Sequence, residues 1–516
     1  MMLKRALRRV IAPLLFATIG VVPVAAKDAT VRIAVPFGFN DPNPDPAIGW
    51  NGWRTSDTGV TETLFWLNTD GDLSPKLAKS AKSLSPTEWE IHLREGITFH
   101  DGTPLDAEAV RFSLMRVVSP DSAVFNERIA SLIGIADVTV VDPMTVRIKT
   151  QVPNAAFLND LVDPGLSIIS SASNAEEFFG TGPFTLEEIV PGEKIVTARF
   201  DDYWGGAAAA PGIELLTLKD PATVMLALEA GDIDIAANFP DSDLPRVSSR
   251  DDLTVDAVAD GRLMFFYMQT EKGALADSRV RHALDHLLPR DQIVGTVLHG
   301  RGGTPGVGLF PAGKAWTNPE LSMTAYDHDR ALALLAEAGI TDTNGDGRLE
   351  KDGEPFRVVI RSYEGRPSMR PAAELYQAHM EAAGIATELQ ILRDWTVAVD
   401  DFREGRADLL MFSSNATPTG NPAYLPNMTL RTDALENYGG WSNAEFDDLL
   451  RQAIVAFDPQ ERTRILNRMQ AIVVEELPIV TAFFKNRVVV ARSNVNDFKM
   501  NPAGVYLVDN RLHVDR

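Results

Sequence analysis

Apolar and polar positions alternate with a period of two along residues 88–99. Trp89, Ile91 and Leu93 are separated by charged or polar residues, so one face of the segment is apolar and the other is polar. This pattern predicts a half-buried β-strand. After the turn at residues 95–96, Ile97 and Phe99 resume the alternation, and we predict a second short strand there.

A helical pattern follows the turn residues at 101–104. Asp106 is placed to cap the helix, and Val110, Leu114 and Val117 recur at the spacing of one helix face. Residues 77–117 therefore predict strands followed by a helix, an α+β unit in which the pattern contains no reactive group.

The rest of the chain predicts more strands and helices. The pattern favours a strand at 29–35, two strands within 138–150, and a helix followed by a strand at 220–235. An apolar strand at 261–270 opens a block in which helices and strands alternate. Strands separated by helices favour parallel pairing, so we expect a largely parallel sheet in this block. Its further segments are predicted at 277–284, 331–339, 356–361, 369–383, 387–392, 407–412, 446–456 and 460–475.

Length and composition limit the classes of protein. The 516 residues exceed the roughly 250–300 that one hydrophobic core serves, which predicts two or more domains. The formal net charge of −22 argues against nucleic acid or an anionic membrane surface as a partner. The sequence has no cysteine, which excludes disulfides, zinc–thiolate sites, cysteine nucleophiles and a lipidated N-terminal cysteine.

Residues 1–26 have the composition of a secretory signal peptide. Four basic residues precede an apolar run from Val10 to Val22, and Val24, Ala25 and Ala26 form a small-residue cleavage pattern. The run is shorter than the roughly 20 residues that a membrane-spanning helix needs. We therefore expect cleavage near Ala26 and export to a periplasm.

Several motifs together resemble one family. Residues 92–114 read HLREGITFHDGTPLDAEAVRFSL, and residues 180–184, 199–206 and 277–284 read GTGPF, RFDDYWGG and DSRVRHAL. In this order they resemble the extracellular solute-binding protein family 5, the peptide/nickel/opine-type substrate-binding proteins of ABC importers. The resemblance covers nearly all of residues 27–516.

The resemblance implies a fold and a set of partners. The fold is α/β, a two-lobed periplasmic binding protein of class II with an extra mixed α+β subdomain in lobe one. Lobe one would span residues 27–260, with the subdomain at about 60–165; lobe two would span 261–485, and residues 486–516 would return to lobe one. A monomer without enzymatic activity or cofactor would capture a small molecule or peptide and deliver it to permease subunits in the inner membrane.

Candidate ligand-binding residues lie in two parts of the sequence. The resemblance places a ligand-reading loop at 408–431, and a pair of tryptophans beside an arginine near the N-terminus suits a binding surface because flat rings give large contact areas. The candidates are Trp50, Trp53, Arg54, Trp395, Arg403, Ser413, Ser414, Asn415 and Tyr424.

The ligand class follows from the charge of that loop. No Asp or Glu occurs between Met411 and Thr432, whereas the ammonium of a peptide N-terminus needs an acidic partner when it is buried. Asp394, Asp400 or Asp401 could supply that partner, so a peptide remains the first expectation. The alternatives are a nickel or other metal chelate, an opine-like conjugate, or a neutral or anionic polar solute.

Two further patterns resemble metal sites. His282 and His286 have the i, i+4 spacing of helical ligands, but no third ligand is nearby in the sequence. Residues 342–350 match the first nine positions of a calcium-binding loop, but Gly353 stands where the twelfth-position acid belongs. We expect a packing helix and an acidic surface turn, respectively.

The alternative that the protein is a secreted hydrolase has no catalytic motif in its support. The sequence contains neither G-x-S-x-G nor H-E-x-x-H. A secreted hydrolase would have to assemble its Ser, His and Asp from distant loops.

Overall fold

The computed structural model describes residues 29–515 except 37, 40, 41, 50, 70 and 501–506. The predicted signal peptide lies outside these residues. Among the described residues, no helix combines the length and the apolarity needed to cross a bilayer.

The names lobe one (residues 27–260 and 486–516), lobe two (residues 261–485) and subdomain (about 60–165) are kept below for the ranges that the family resemblance implies. The first elements belong to lobe one and the subdomain in this sense. In chain order its elements are β1 (Val31–Val35), α1 (Asn51–Asp57), β2 (Phe65–Leu67), β3 (Leu73–Pro75), β4 (Ala78–Ser85), β5 (Glu88–Leu93), α2 (Ala107–Val118), α3 (Glu127–Ile133), β6 (Ile135–Asp142), β7 (Thr145–Thr150) and α4 (Phe157–Asp160).

The chain then completes lobe one and enters the long strand that joins the lobes. These elements are β8 (Phe184–Val190), β9 (Lys194–Arg199), β10 (Ile213–Thr217), α5 (Pro221–Ala230), β11 (Ile235–Ala237), α6 (Leu244–Val247) and β12 (Leu253–Met268).

Lobe two follows, and a second long strand returns to lobe one. These elements are α7 (Ser278–Leu287), α8 (Arg290–Gln292), β13 (Gly303–Pro305), α9 (His328–Glu337), β14 (Ile340–Thr341), β15 (Glu350–Lys351), β16 (Glu354–Pro355), β17 (Arg357–Tyr363), α10 (Met369–Ala382), β18 (Ala386–Leu392), α11 (Trp395–Arg403), β19 (Leu409–Asn415), α12 (Ala444–Val455), α13 (Pro459–Glu476), β20 (Ile479–Arg492), β21 (Val495–Asn496) and β22 (His513–Val514).

The subdomain follows the alternating pattern of its sequence. Its sheet has the order β4-β5-β7-β6, and Trp89, Ile91 and Leu93 face a buried core that α2 covers. Asp106 caps α2, because its side-chain oxygen accepts a hydrogen bond from the Ala109 N–H at 2.9 Å. The subdomain is therefore an α+β unit, as its sequence predicts.

The strand predicted at residues 97–99 does not form. Ile97 and Phe99 are buried, but the segment makes only a single bridge, between Thr98 and Pro104. The Phe99 N–H donates to the Thr103 carbonyl at 2.8 Å, so the chain reverses too soon for a ladder of strand hydrogen bonds to extend.

One large sheet runs through both lobes. Its order is β18-β17-β19-β12-β20-β11-β1-β10-β9-β8, with β13 also paired to β20. The expected largely parallel sheet is wrong at the centre, where β12 pairs antiparallel with both β19 and β20. Parallel pairs occur at β1 with β10 and β11, and at β17 with β18 and β19. The sheet is therefore mixed, because two long strands cross between the lobes in opposite directions.

The long strand β12 is apolar on both faces in lobe two. Met264 and Phe266 pack into the core on one side of the sheet, and Leu263 and Phe265 pack into the core on the other side. A strand that is buried on both faces needs apolar side chains at every position, so residues 263–268 form a continuous apolar run instead of alternating with polar residues.

Candidate ligand-binding site

A bulge in β12 lies between the two lobes. The pairing register with β20 shifts between Ala259 and Arg262, so Asp260 and Gly261 are the extra residues. Gly261 has a φ of +72°, a conformation that residues with a side chain rarely adopt. The Asn415 side chain secures the bulge by donating from Nδ2 to the Asp260 carbonyl at 3.1 Å. The bulge turns the chain at the point where it passes from one lobe to the other.

Four arginines from separate elements lie around this bulge. We call them the hinge arginines: Arg54 on α1, Arg262 on β12, Arg366 in the loop after β17, and Arg487 on β20. Arg366 lies close enough to Arg262 to lower its pKa, in addition to the larger lowering by burial. Arg487 is likewise close enough to lower the pKa of Arg366, after burial as the main cause. The cluster thus draws on both lobes and on both crossing strands.

Two buried carboxylates accompany the hinge arginines. Asp57 pairs with Arg54 at 2.9 Å, and Asp260 pairs more loosely with Arg487 at 3.7 Å. Burial raises the pKa of Asp57 to about 6, although Arg54 and Arg487 both act to lower it.

The position of Arg54 and Asp57 depends on a close approach of α1 to the chain at Pro164. A Cβ atom on Gly52 would lie 2.5 Å from the Pro164 carbonyl oxygen, so no larger residue fits there without a shift. Gly52 therefore lets α1 lie against residues 164–166 with Arg54 and Asp57 toward the crossing strands.

Two tyrosines and a glutamate lie next to the hinge arginines. Tyr363 and Tyr424 both affect the pKa of Arg262, and burial raises the pKa of each tyrosine. Glu436 is near both tyrosines, and burial raises its pKa as well. The Glu436 backbone carbonyl also accepts a hydrogen bond from the Tyr267 hydroxyl at 2.7 Å. The surroundings of the arginines are therefore polar but largely withdrawn from water.

The lobes touch each other on one side of this region. Asn421 donates from Nδ2 to Asp160 Oδ1 at 3.1 Å, and the Ala155 N–H donates to the Ile454 carbonyl at 2.8 Å. A cavity of about 270 Å³ lies between the lobes at these contacts, and Tyr424 forms part of its wall. Because Tyr424 also lies beside Arg262, this side chain links the cavity to the hinge arginines.

The structure brings four of the nine predicted site residues to the hinge. Arg54 is one of the hinge arginines, Asn415 secures the bulge, Tyr424 lies beside Arg262, and Ser413 has a backbone that interacts with Tyr363. Ser414 is the next residue of the same strand, where it pairs with Leu263.

The three predicted tryptophans and Arg403 are not among the residues that the structure places at the hinge. Trp50 lies outside the described residues, and Trp53 packs against the core of the subdomain. Trp395 is 46% exposed, and its ring is 6.3 Å from that of Phe412. Arg403 lies on the surface of lobe two, where it donates to the Leu435 carbonyl at 3.2 Å. The structure therefore does not place Arg403 among the hinge arginines.

Two of the three acids proposed to receive a peptide ammonium already have other partners. Asp394 caps α11 by accepting from the Thr396 N–H at 2.9 Å. Asp401 pairs with Arg361 at 2.9 Å and with Arg406 at 2.7 Å. Asp400 is an exposed residue of α11. These contacts weaken the expectation of a peptide, which relied on one of the three acids being available.

Sequence reasoning missed Arg262, Arg366, Arg487 and Glu436. The arginines lie more than a hundred residues apart, and no local motif connects them. One signal was present in the sequence: Arg262 directly follows an Asp-Gly pair that interrupts an apolar strand, the pattern expected of a bulge.

The residues that resemble metal sites have hydrogen bonds of their own. His282 and His286 contact the carbonyls of Glu475 and Ala325 at 3.0 and 3.1 Å, on different segments. Asp342, Asp346 and Glu350 lie together in an acidic turn. Within that turn Asp342 accepts from the backbone N–H groups of Gly345 and Gly347.

Comparison with known proteins identifies the family. The family model described as bacterial extracellular solute-binding proteins, family 5 Middle, matches residues 72–435. The chain belongs to this family. Proteins of the family are non-enzymatic transport components, and they are periplasmic or extracellular.

Individual relatives match along most of the chain. The nickel-binding protein NikA of Staphylococcus aureus is 25% identical over 89% of this chain and 90% of its own length. The oligopeptide-binding protein AppA of Bacillus subtilis is 26% identical over 85% of this chain and 83% of its own. The crystal structure of a nickel ABC transporter protein from Bacillus halodurans superposes with a TM-score of 0.82 at 26% identity, covering 94% of this chain and all of the other. The similarity therefore extends over both lobes.

Proposed function

We propose that the chain is a periplasmic solute-binding protein that captures a small polar solute between its lobes and delivers it to the permease of an ABC importer. The observation that carries this proposal is the placement of the hinge arginines. They come from lobe one, from lobe two and from both crossing strands, so a solute that contacts all of them would hold the lobes together.

The export step and the monomeric state belong to the same proposal. Residues 1–26 would direct export and be removed near Ala26, which leaves the mature chain free in the periplasm. One chain supplies both walls of the crevice, so binding does not require a second copy.

The names of the relatives leave two classes of ligand open. One relative is a nickel-binding protein and another is an oligopeptide-binding protein, so a metal chelate and a peptide are both carried forward. The peptide class is weakened here because Asp394 and Asp401 are engaged elsewhere.

Native mass spectrometry of protein purified from a periplasmic extract tests the proposal. We expect a chain that begins near Lys27 and carries one bound solute in a 1:1 complex. After the solute is removed by dialysis and added back, it should be recovered with its mass unchanged. Retention of residues 1–26 would contradict export with cleavage, and a product of altered mass would favour the hydrolase alternative.

A further inference from the structure

The hinge arginines carry more positive charge than the nearby acids balance. Arg54 pairs with Asp57 and Arg487 pairs with Asp260. Arg262 and Arg366 have no ion pair and donate no side-chain hydrogen bond to any residue that the structure describes, although each is only partly exposed. Asp260, which pairs with Arg487, is also close enough to raise the pKa of both Arg262 and Arg366, so this one carboxylate serves three guanidinium groups.

The other acids of the region do not remove this excess. Asp163 pairs with Arg128 at 2.9 Å, which leaves that pair neutral. Glu436 is near Tyr363 and Tyr424, and burial raises its pKa, which favours its uncharged form. Even with Glu436 ionised, one arginine remains in excess among the residues that the structure describes.

An unpaired guanidinium that is partly withdrawn from water costs free energy, because the lost hydration is not replaced. The cost is recovered when an oxyanion binds, since the planar guanidinium donates two parallel hydrogen bonds to a carboxylate or phosphate. The hydroxyl groups of the neighbouring Tyr363 and Tyr424 can donate further hydrogen bonds to such an oxyanion. A cationic ligand would meet the opposite situation, a site with excess positive charge.

We infer that the solute is a small anion whose carboxylate or phosphate group binds between Arg262 and Arg366. This inference rests on the proposed function, because it names the ligand class of the same crevice. It excludes, as the preferred ligand, a solute whose only charged group is an ammonium.

Thermal unfolding of the mature protein with chosen probes tests the inference. Citrate represents polycarboxylates and glycerol 3-phosphate represents phosphates. Trialanine amide, which has an ammonium but no carboxylate, represents cationic ligands, and sodium chloride at matched ionic strength is the reference. We expect citrate or glycerol 3-phosphate to raise the Tm, and trialanine amide to leave it unchanged. Which of the two anions is effective distinguishes a carboxylate from a phosphate as the group that is recognised.

Variants locate the effect at the two arginines. Arg262→Gln and Arg366→Gln should each weaken binding of the effective anion by about 10- to 100-fold, as expected for the loss of a hydrogen bond to a charged group. Arg370→Gln is the matched control, because it removes an equal charge from an exposed position on the neighbouring α10. This variant should bind as the parent protein does.

Three results would overturn the inference: stabilisation by trialanine amide alone, no response to either anion, or an anion response that survives in the double variant Arg262→Gln/Arg366→Gln. The proposed function fails separately. If trialanine amide binds and brings the lobes together, the protein is still a solute-binding clamp and only the anionic ligand class is wrong. If no probe binds and no solute co-purifies, both fail.

Discussion

Asp160 makes the contact between the lobes sensitive to pH. Its side chain is buried, with Oδ1 accepting from Asn421 Nδ2 across the lobe contact at 3.1 Å and Oδ2 accepting from Asn154 Nδ2 at 2.8 Å. Burial raises its pKa to about 7 despite these two donors, and nearby Asp163, itself paired with Arg128, raises it further. Asp160 therefore gains a proton near neutral pH while the lobes are in contact.

The direction of the pH effect follows from opening the lobes. Separation admits water to Asp160, and this hydration outweighs the loss of the Asn421 donor, so the pKa of Asp160 falls toward its ordinary value of 3.8. A carboxyl with the higher pKa in the closed form favours closure at low pH, and this contribution is lost as the pH rises through about 7. A difference of about three pKa units corresponds to about 4 kcal/mol, an upper limit because the subdomain alone still buries part of the side chain.

Fluorescence energy transfer between the lobes measures this effect. The sequence has no cysteine, so single cysteines at exposed Lys79 and Glu374 accept dyes specifically. We expect the open fraction to rise from about pH 4 to about pH 7 and to change little above about pH 8, because the contribution is complete below the pKa of the open form and is lost as the pH rises through the pKa of the closed form. Asp160→Asn should remove this rise, whereas Asp137→Asn, which changes an exposed acid of the same subdomain, should retain it.

A separate transition is expected from Asp57, whose pKa is raised to about 6. It belongs to the hinge rather than to the lobe contact, so it should persist in Asp160→Asn at the lower pH. The reasoning is refuted if Asp160→Asn keeps the full change in energy transfer around pH 7, or if the parent protein opens as the pH falls.

Two further predictions concern stability. Glu62→Gln should lower the free energy of unfolding in urea by about 3 kcal/mol, because the mostly buried ammonium of Lys76, 3.0 Å from the Glu62 carboxylate, loses its charge partner. Glu108→Gln, at an exposed position, should change the free energy of unfolding by less than about 0.5 kcal/mol. Equal effects of the two variants would contradict the argument. Gly261→Ala should cost about 1–2 kcal/mol by the same assay because of its positive φ, whereas Gly295→Ala, at an open position without positive φ, should be close to neutral.

Local elements could be predicted from the sequence because their causes are local. The alternation at Trp89, Ile91 and Leu93 produces β5, and the cap at Asp106 begins α2 at the next residue. The strand predicted from residue 261 in fact begins at Leu253. Residues 253–260 contain aspartates that disfavour strands, and only the pairing with β20 in lobe one overcomes that preference.

The site was harder to predict because it is assembled by tertiary structure. Residues 413–415, at the end of β19, could be predicted from the family resemblance, and Arg54 could be predicted from the tryptophans beside it in the sequence. Arg262, Arg366 and Arg487 meet only because two long strands cross and a loop of lobe two reaches the crossing. The loop between Met411 and Thr432 has no carboxylate, as its sequence shows. The charged residues of the site are arginines that lie far from this loop in the sequence.

Small-angle X-ray scattering tests most directly the claim that the chain is a clamp that closes on a solute. The mature protein is freed of any co-purified compound by dialysis, and scattering is recorded before and after that compound is restored at saturating concentration. We predict a decrease in the radius of gyration on binding, and the same compound should produce no decrease in Arg262→Gln/Arg366→Gln. Tight binding without contraction in the parent protein would contradict the account.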